Sequence, residues 1–146
     1  MTPPGEREED ESVTVTASEK AVELVGIAAR AASEKLADDI IAYDVSEQLF
    51  ITDAFLLCSA PNDRQVASIV EEIETKLREA GHKPVRREGE RDHRWVLLDY
   101  VDIVIHVQHD EERQFYSLER LWKDCPAVPL PEDVNPTPSR VGGGGR

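Results

Sequence analysis

Along this chain the spacing of apolar residues changes several times, and each change marks an element. Between Thr16 and Ala37, the residues Ala21, Leu24, Val25, Ala28, Ala29, Ala32 and Leu36 recur every three or four positions. That is the period of one helix face. Thr16 and Glu19 precede the run at capping-box spacing, and the small residues predict close packing. Asp38–Val45 is a short strand. Glu47–Ala60 reads as a turn and then a second strand. Its body, Ala54–Cys58, is nearly all apolar, which predicts a central strand covered on both faces. The clearest helix follows. Asn62 and Gln65 can cap it, Val66, Ile69, Val70, Ile73 and Leu77 form its buried stripe, and Gly81 marks its end.

The segment "HKPVRRE" is polar and contains Pro84, so it belongs at or near a sheet edge. After the loop "GERDH" come two apolar runs, "RWVLLDY" and "DIVIHVQ", joined around Asp99–Asp102 as a tight hairpin or one bent strand. The stretch "DEERQFYSLERLW" is a predicted helix capped by Asp110, with Phe115, Leu118, Leu121 and Trp122 on its buried side. Pro126 ends it. The predicted order is α-β-β-α-β-β-β-α. It describes a single α/β (α+β) domain over residues 15–125, with a mixed sheet of about five strands flanked by helices. That strand order is reminiscent of nucleotidyltransferases. Residues 1–14 are acidic and lack apolar periodicity, and residues 126–146 are rich in proline and glycine. Both tails are expected to be disordered.

Charge narrows the function. The 146 residues carry 17 Lys and Arg against 30 Asp and Glu, a net charge of -13. Nucleic-acid affinity rests on clustered cations, so autonomous RNA or DNA binding is not expected. A basic protein partner suits this potential better. Cys58 and Cys125 fit no CxxC or zinc pattern, and Cys58 is expected to be a buried thiol. No apolar run reaches the ~20 residues of a membrane helix. The acidic N-terminus resembles neither a secretory signal nor a transit peptide, so a cytoplasmic location is expected.

The run "WVLLDYVDIVIHV", Trp95–Val107, poses the chemical question, because Asp99, Asp102 and His106 interrupt an apolar strand pattern. In a strand, positions 102 and 106 share a face but lie about 13 Å apart, too far to chelate one ion. His106 and His109 fall on opposite faces. Metal-dependent nucleotidyl transfer needs two carboxylates on one strand face. Asp99 and Asp102 alternate to opposite faces, and no glycine-rich phosphate loop accompanies them. Cys58 sits in a predicted buried strand, and Ser59 lacks a nucleophile-elbow context. His106 has Asp44 and Asp53 as conceivable orienting partners. No catalytic residue, metal site or cofactor is expected; a histidine held by a hydrogen bond is the simpler reading. Trp95 is either a lid on the core or an exposed anchor, a role in which tryptophan is enriched.

Several pieces in order resemble the ribosomal silencing factor (Iojap) family: "DIIAYDV", "ITDAFLLCSAPNDRQVASI", the glycine of "REGE", "WVLLDYVDIVIHV" and "ERQFYSLERLW". The resemblance covers about residues 17 to 123. It implies a nucleotidyltransferase-like fold without catalysis, and docking on the large ribosomal subunit through ribosomal protein uL14. It further implies blocked joining of the small subunit, repressed translation when nutrients are scarce, and a homodimer when free. The resemblance places Trp95 on the docking surface; with it, the reading of this run assigns partner binding to Asp99, Tyr100, Asp102 and His106. Two positions depart from the family pattern. Val101 stands where glycine is usual, which implies either a more regular backbone or strain. Gln108 stands where Phe or Met is common.

Overall fold

The structure, a computed structural model, describes residues 16–134. In chain order the elements are α1 (Glu19–Glu34), β1 (Asp38–Asp44), β2 (Ala54–Ala60), α2 (Asp63–Glu79), β3 (Arg86–Glu88), β4 (Trp95–Asp99), β5 (Ile103–His109), α3 (Asp110–Tyr116) and α4 (Glu119–Trp122). The five strands form one sheet in the order β1-β2-β5-β4-β3. β2 and β5 run parallel; the other neighbours are antiparallel. The sheet is mixed, as the element pattern predicts, and the nearly all-apolar β2 lies inside it. Polar β3 takes one edge, where the open side of a ladder tolerates charge.

Strand alternation gives the sheet two distinct faces. One presents Ile40, Ala42, Ala54, Leu56, Cys58, Val96, Leu98, Ile103, Ile105 and Val107, which form one buried cluster with the apolar stripes of α1 and α2. In α2 the whole predicted stripe is buried, and the Asn62 side chain accepts from Gln65 N at 2.8 Å. Gly81 ends the helix at φ 95°, while His82 N reaches back to Leu77 O at 2.8 Å. This is a glycine C-terminus of the kind that satisfies the last carbonyls.

The start of α1 differs from the expectation. Its N-cap is Ser18, whose Oγ accepts from Ala21 N. Thr16 instead bonds to Asp44 and Ser46, so the capping box does not form. Leu36 lies past the end of the helix at φ 62° and is exposed. A stripe inferred from spacing alone ran one turn too far.

The C-terminal third brings two larger corrections. The predicted single helix after Asp110 is broken: α3 ends at Ser117, which adopts φ 49°, and α4 is a separate short turn. The cap is the side chain of His109, accepting from Glu111 N, not Asp110. Phe115 and Leu121, expected on the buried side, are 79% and 69% exposed. Residues 126–134 also pack, contrary to the expected disordered tail. Pro126 O accepts from Asp44 N at 2.8 Å, Ala127 bridges Tyr43, and Val128 N donates to Ala42 O at 3.0 Å. Proline has no N–H, but its carbonyl still accepts. Val128 and Val134 are buried against the main core, with Leu130 packed on it. The tails expected at 1–14 and 135–146 lie outside the described residues.

Candidate functional site

The second face of the sheet holds the questioned residues. Register places Trp95 opposite Gln108, Leu97 opposite His106 and Asp99 opposite Val104 across β4 and β5. Phe55, Leu57 and Ser59 stand beside Val104, His106 and Gln108 on β2. The helices α1 and α2 lie on the other side; among the described residues the helical cover of this face comes from α3 and α4, and it is partial. Arg113 fastens that cover. Its Nε donates to Glu119 at 2.8 Å, and its Nη1 donates to Ser59 Oγ at 3.1 Å and Asp38 O at 3.2 Å. Arg94 adds a second fastening, with Nη2 at 3.1 Å from both Glu111 and Glu112.

An aromatic chain crosses the face. Tyr116 packs against Trp95 at a tilt of 49°, with ring centroids 4.9 Å apart. Trp95 Nε1 donates to His106 Nδ1 at 3.1 Å. Phe55 meets His106 edge-on at 5.3 Å and Trp122 edge-on at 4.8 Å. His106 is buried, and desolvation pushes its pKa down to about 4. Near neutral pH the ring is therefore uncharged, and a neutral ring with an accepting Nδ1 carries its proton on Nε2. The histidine is the one that holds a hydrogen bond, and Trp95 is its donor.

The two carboxylates serve the β4–β5 hairpin. Asp99 Oδ1 accepts from Val101 N at 2.8 Å, and Asp99 Oδ2 lies 3.7 Å from Arg86. Asp102 Oδ2 lies 3.4 Å from Lys20. Between them Val101 adopts φ 73°, with Asp102 N donating to Tyr100 O at 2.8 Å. A bond from residue i+2 back to i around a positive φ is a γ-turn, a strained form. It is rarer still for a β-branched residue. Of the two outcomes considered for Val101, strain is the one realised. The backbone keeps the path a glycine would take, because flanking hydrogen bonds hold it there.

The structure does not bring all five candidate residues onto one surface. Trp95, His106 and Asp99 share the second face. Tyr100 points the other way, into the core under α1 and α2. Burial, with Glu74 nearby, pushes its phenol up to about 12. A docking edge containing Tyr100 is therefore corrected: its ring anchors the hairpin from behind. Asp102 belongs to the turn. Neither conceivable orienting partner reaches His106. Asp44 accepts from Thr16, Ala17 and Ser46, while Asp53 accepts from Ser18 N. Among the described residues, no group of three or more His, Cys, Asp or Glu could hold a metal ion. Cys58 is fully buried, and desolvation raises its thiol to about 12. Gln108 is fully buried beneath the face, with both amide atoms unpaired.

The sequence reading missed Phe115, Tyr116 and Leu121 as surface residues. One signal was available. Adjacent aromatics at 115 and 116 project about 100° apart on a helix of 3.6 residues per turn, so a seven-residue helix cannot point both firmly inward. Gly89 was read as the start of the loop before β4 and as part of the resemblance, without a reason for glycine there. Its φ is 86°, and a Cβ there would lie 1.9 Å from Trp95 O. Only glycine lets the β3–β4 connection pass so close to the strand that presents Trp95.

Together the fold and this face define an α/β domain with one sheet surface packed under helices and the other half open and aromatic. The family model for ribosomal silencing factor during starvation matches residues 18–142, and the chain belongs to that family. It is 40% identical over 112 residues to ribosomal silencing factor RsfS of Bacillus subtilis, covering 77% of this chain and 95% of that protein. It is 31% identical over 109 residues to the chloroplastic protein Iojap of Zea mays, covering 73% of this chain and 46% of that one. Two crystal structures share the fold. One, from Chromobacterium violaceum, has a TM-score of 0.67 at 32% identity, over 69% of this chain and 84% of that chain. The other, from Bacillus halodurans, has a TM-score of 0.66 at 37% identity, over 74% and 98%. No helix among the described residues is long and apolar enough to cross a membrane.

Proposed function

We propose that this protein docks on the large ribosomal subunit through ribosomal protein uL14 and sterically prevents the small subunit from joining, so repressing translation. The observation that carries this reading is the half-open aromatic face. Trp95 and Tyr116 meet at its rim, Phe115 meets Tyr116 edge-on, and Phe115 and, on α4, Leu121 are largely exposed. Large apolar side chains grouped in water often mark a partner's landing site, and aromatic residues are the usual anchors of interfaces. Asp99 at the face's edge, the acidic start of α3 and the net charge of -13 favour a basic landing site. His106 supports Trp95 from below, Asp102 and Tyr100 hold the hairpin that carries the strand, and binding passes through Trp95 and its neighbours. Location in the cytoplasm follows from this role. A homodimer in the free state would cover the same apolar patch.

The alternative, a Mg-dependent nucleotidyltransferase-like enzyme, finds less support. Asp99 and Asp102 are engaged by the turn and by cations rather than paired toward one ion. The deciding experiment is co-sedimentation with separated ribosomal subunits. Wild type should travel with large subunits and suppress their joining to small ones. Trp95→Glu and Phe115→Glu, each checked for an intact fold by circular dichroism, should remain at the top of the gradient. Full binding by both variants would place the contact elsewhere.

A further inference from the structure

A second group of apolar side chains stands apart from the aromatic rim. Phe50 is 100% exposed and Ile51 80% exposed, in the loop between β1 and β2. Val101, at the tip of the β4–β5 hairpin, is 53% exposed. The two loops are fastened together by Asp53 N, which donates to Asp102 O at 3.0 Å, and the first loop is closed on itself by Val45 N, which donates to Asp53 O at 2.9 Å. Leu49 N returns to Val45 O at 2.8 Å, closing the base of the first loop. Three apolar residues thus belong to loops fastened at one end of the sheet, Phe50 and Ile51 almost bare and Val101 about half exposed. Val101 is held there in a strained conformation. Strain of this kind persists only where surrounding structure imposes it, and it concentrates at functional sites.

We propose that Phe50, Ile51 and Val101 form a second apolar contact with the same basic protein that receives the Trp95 face. The inference rests on the docking reading above and extends it to a two-point footprint. Continuity supports the shared partner. Trp95 opens β4, and Val101 lies just past its end, so the two contacts are about 13–20 Å apart along the strand. Half-buried Leu97, Val104 and Phe55 lie between them on the open face. An interface of ordinary size, about 800 Å² per partner, spans both. Charge supports a basic partner. Asp99 and Asp102 flank the tip, Asp53 is bonded to it through the backbone, and Lys20 and Arg86 pair with the two flanking carboxylates. An apolar contact with an acidic rim is repelled by RNA phosphates and matched by a cationic protein surface.

The test uses purified large ribosomal subunits and the full-length chain. The double variant Phe50→Ser/Ile51→Ser removes side chains with almost no packing, so its melting temperature should match wild type. Its affinity for large subunits should fall about tenfold, the scale of losing one modest interface contact. Val101→Gly relieves the backbone strain, so it should raise thermal stability while weakening binding. A photoreactive benzoylphenylalanine at position 50 should crosslink to a basic ribosomal protein. Unchanged affinity in the double variant while Trp95→Glu abolishes binding would overturn the second contact and leave the first. A crosslink to ribosomal RNA would also overturn it. Failure of wild type to bind large subunits at all would remove both readings.

Discussion

The two faces of the sheet are built from the same strands by opposite rules. Under α1 and α2, aliphatic side chains from all three central strands interlock with helical stripes, and nearly every one is fully buried. On the other face, aromatic rings and polar groups alternate, and short helices cover only part of the surface. The first face is a solution to folding alone. On the second, individual residues pack imperfectly, a histidine is kept neutral, and large apolar groups face water. The contrast separates residues whose loss should cost stability from those whose loss should cost binding.

The largest effect should come from opening the packed face. Ile69, Ile105 and Leu24 are fully or almost fully buried. Truncating any one to alanine should destabilise by about 2–5 kcal/mol, the transfer term plus the residual cavity. Chemical denaturation would read this directly. A loss below about 1 kcal/mol at all three positions would mean that the packed face is far looser than its burial indicates.

The next effect belongs to the open face, and it depends on pH. His106 has its pKa lowered by burial from 6.5 to about 4. The unfolded chain therefore takes up this proton between those values while the folded chain refuses it. Stability from this group is full above about pH 6.5, declines as pH falls toward about 4, and is level below. One pKa unit is about 1.4 kcal/mol, so the decline amounts to about 3 kcal/mol. Asp44 acts in the same direction. Burial opposes its charge, but hydrogen bonds from Ser46, Thr16 and Ala17 outweigh burial and hold its carboxyl below the usual value. Its contribution is lost at lower pH than that of His106. Denaturant midpoints from pH 7 to pH 4 should show the decline. His106→Gln, which cannot charge, should flatten it. An equally steep decline in that variant would assign it to other groups.

A smaller effect, with the opposite sign, tests the hairpin that joins the two faces. Val101→Gly should stabilise by about 1 kcal/mol, within the range stored by one strained residue. The entropy glycine adds to the unfolded chain offsets part of that gain. A destabilised variant would mean that the flanking hydrogen bonds do not enforce the turn.

How far the sequence could be read follows the same division. The packed face was legible because burial imposes a period. The stripe of α2, its Asn62 cap, the central place of β2 and the edge place of β3 all follow from spacing and residue type. The open face was only partly legible. Periodicity reports that a residue avoids water but not whether it does so in its own core or against another molecule, so Phe115 and Leu121 were assigned inward. The strand period assigned Asp99 and Asp102 to opposite strand faces, whereas Asp102 lies in the turn between β4 and β5. The same period sets Tyr100 on the face opposite Trp95, and grouping both on one docking edge did not apply it. The segment 126–134 was misjudged for another reason. Its prolines suggested a chain that cannot order, but Val128, Leu130 and Val134 supply apolar contacts, and Pro126 O supplies an acceptor for β1.

The smallest effect on stability should come from the residues that the periodicity misplaced. Phe115 and Leu121 have most of their side-chain surface in water, so little area returns to solvent when they are cut back. Burial contributes about 25 cal/mol per Å², and surface changes of this kind usually fall within about 0.5 kcal/mol. Phe115→Ser/Leu121→Ser should therefore melt almost where wild type does. Phe115 does stack edge-on against Tyr116 at 4.9 Å, so a small loss is expected there. Tyr116 retains its contact with Trp95, which keeps the aromatic chain in place. In co-sedimentation with large ribosomal subunits, the same variant should bind markedly less than wild type. A large drop in melting temperature would show that these side chains belong to the fold after all, and the open face would lose its distinction from the packed one. Unchanged melting with unchanged binding would leave the face open but move the partner off this part of it.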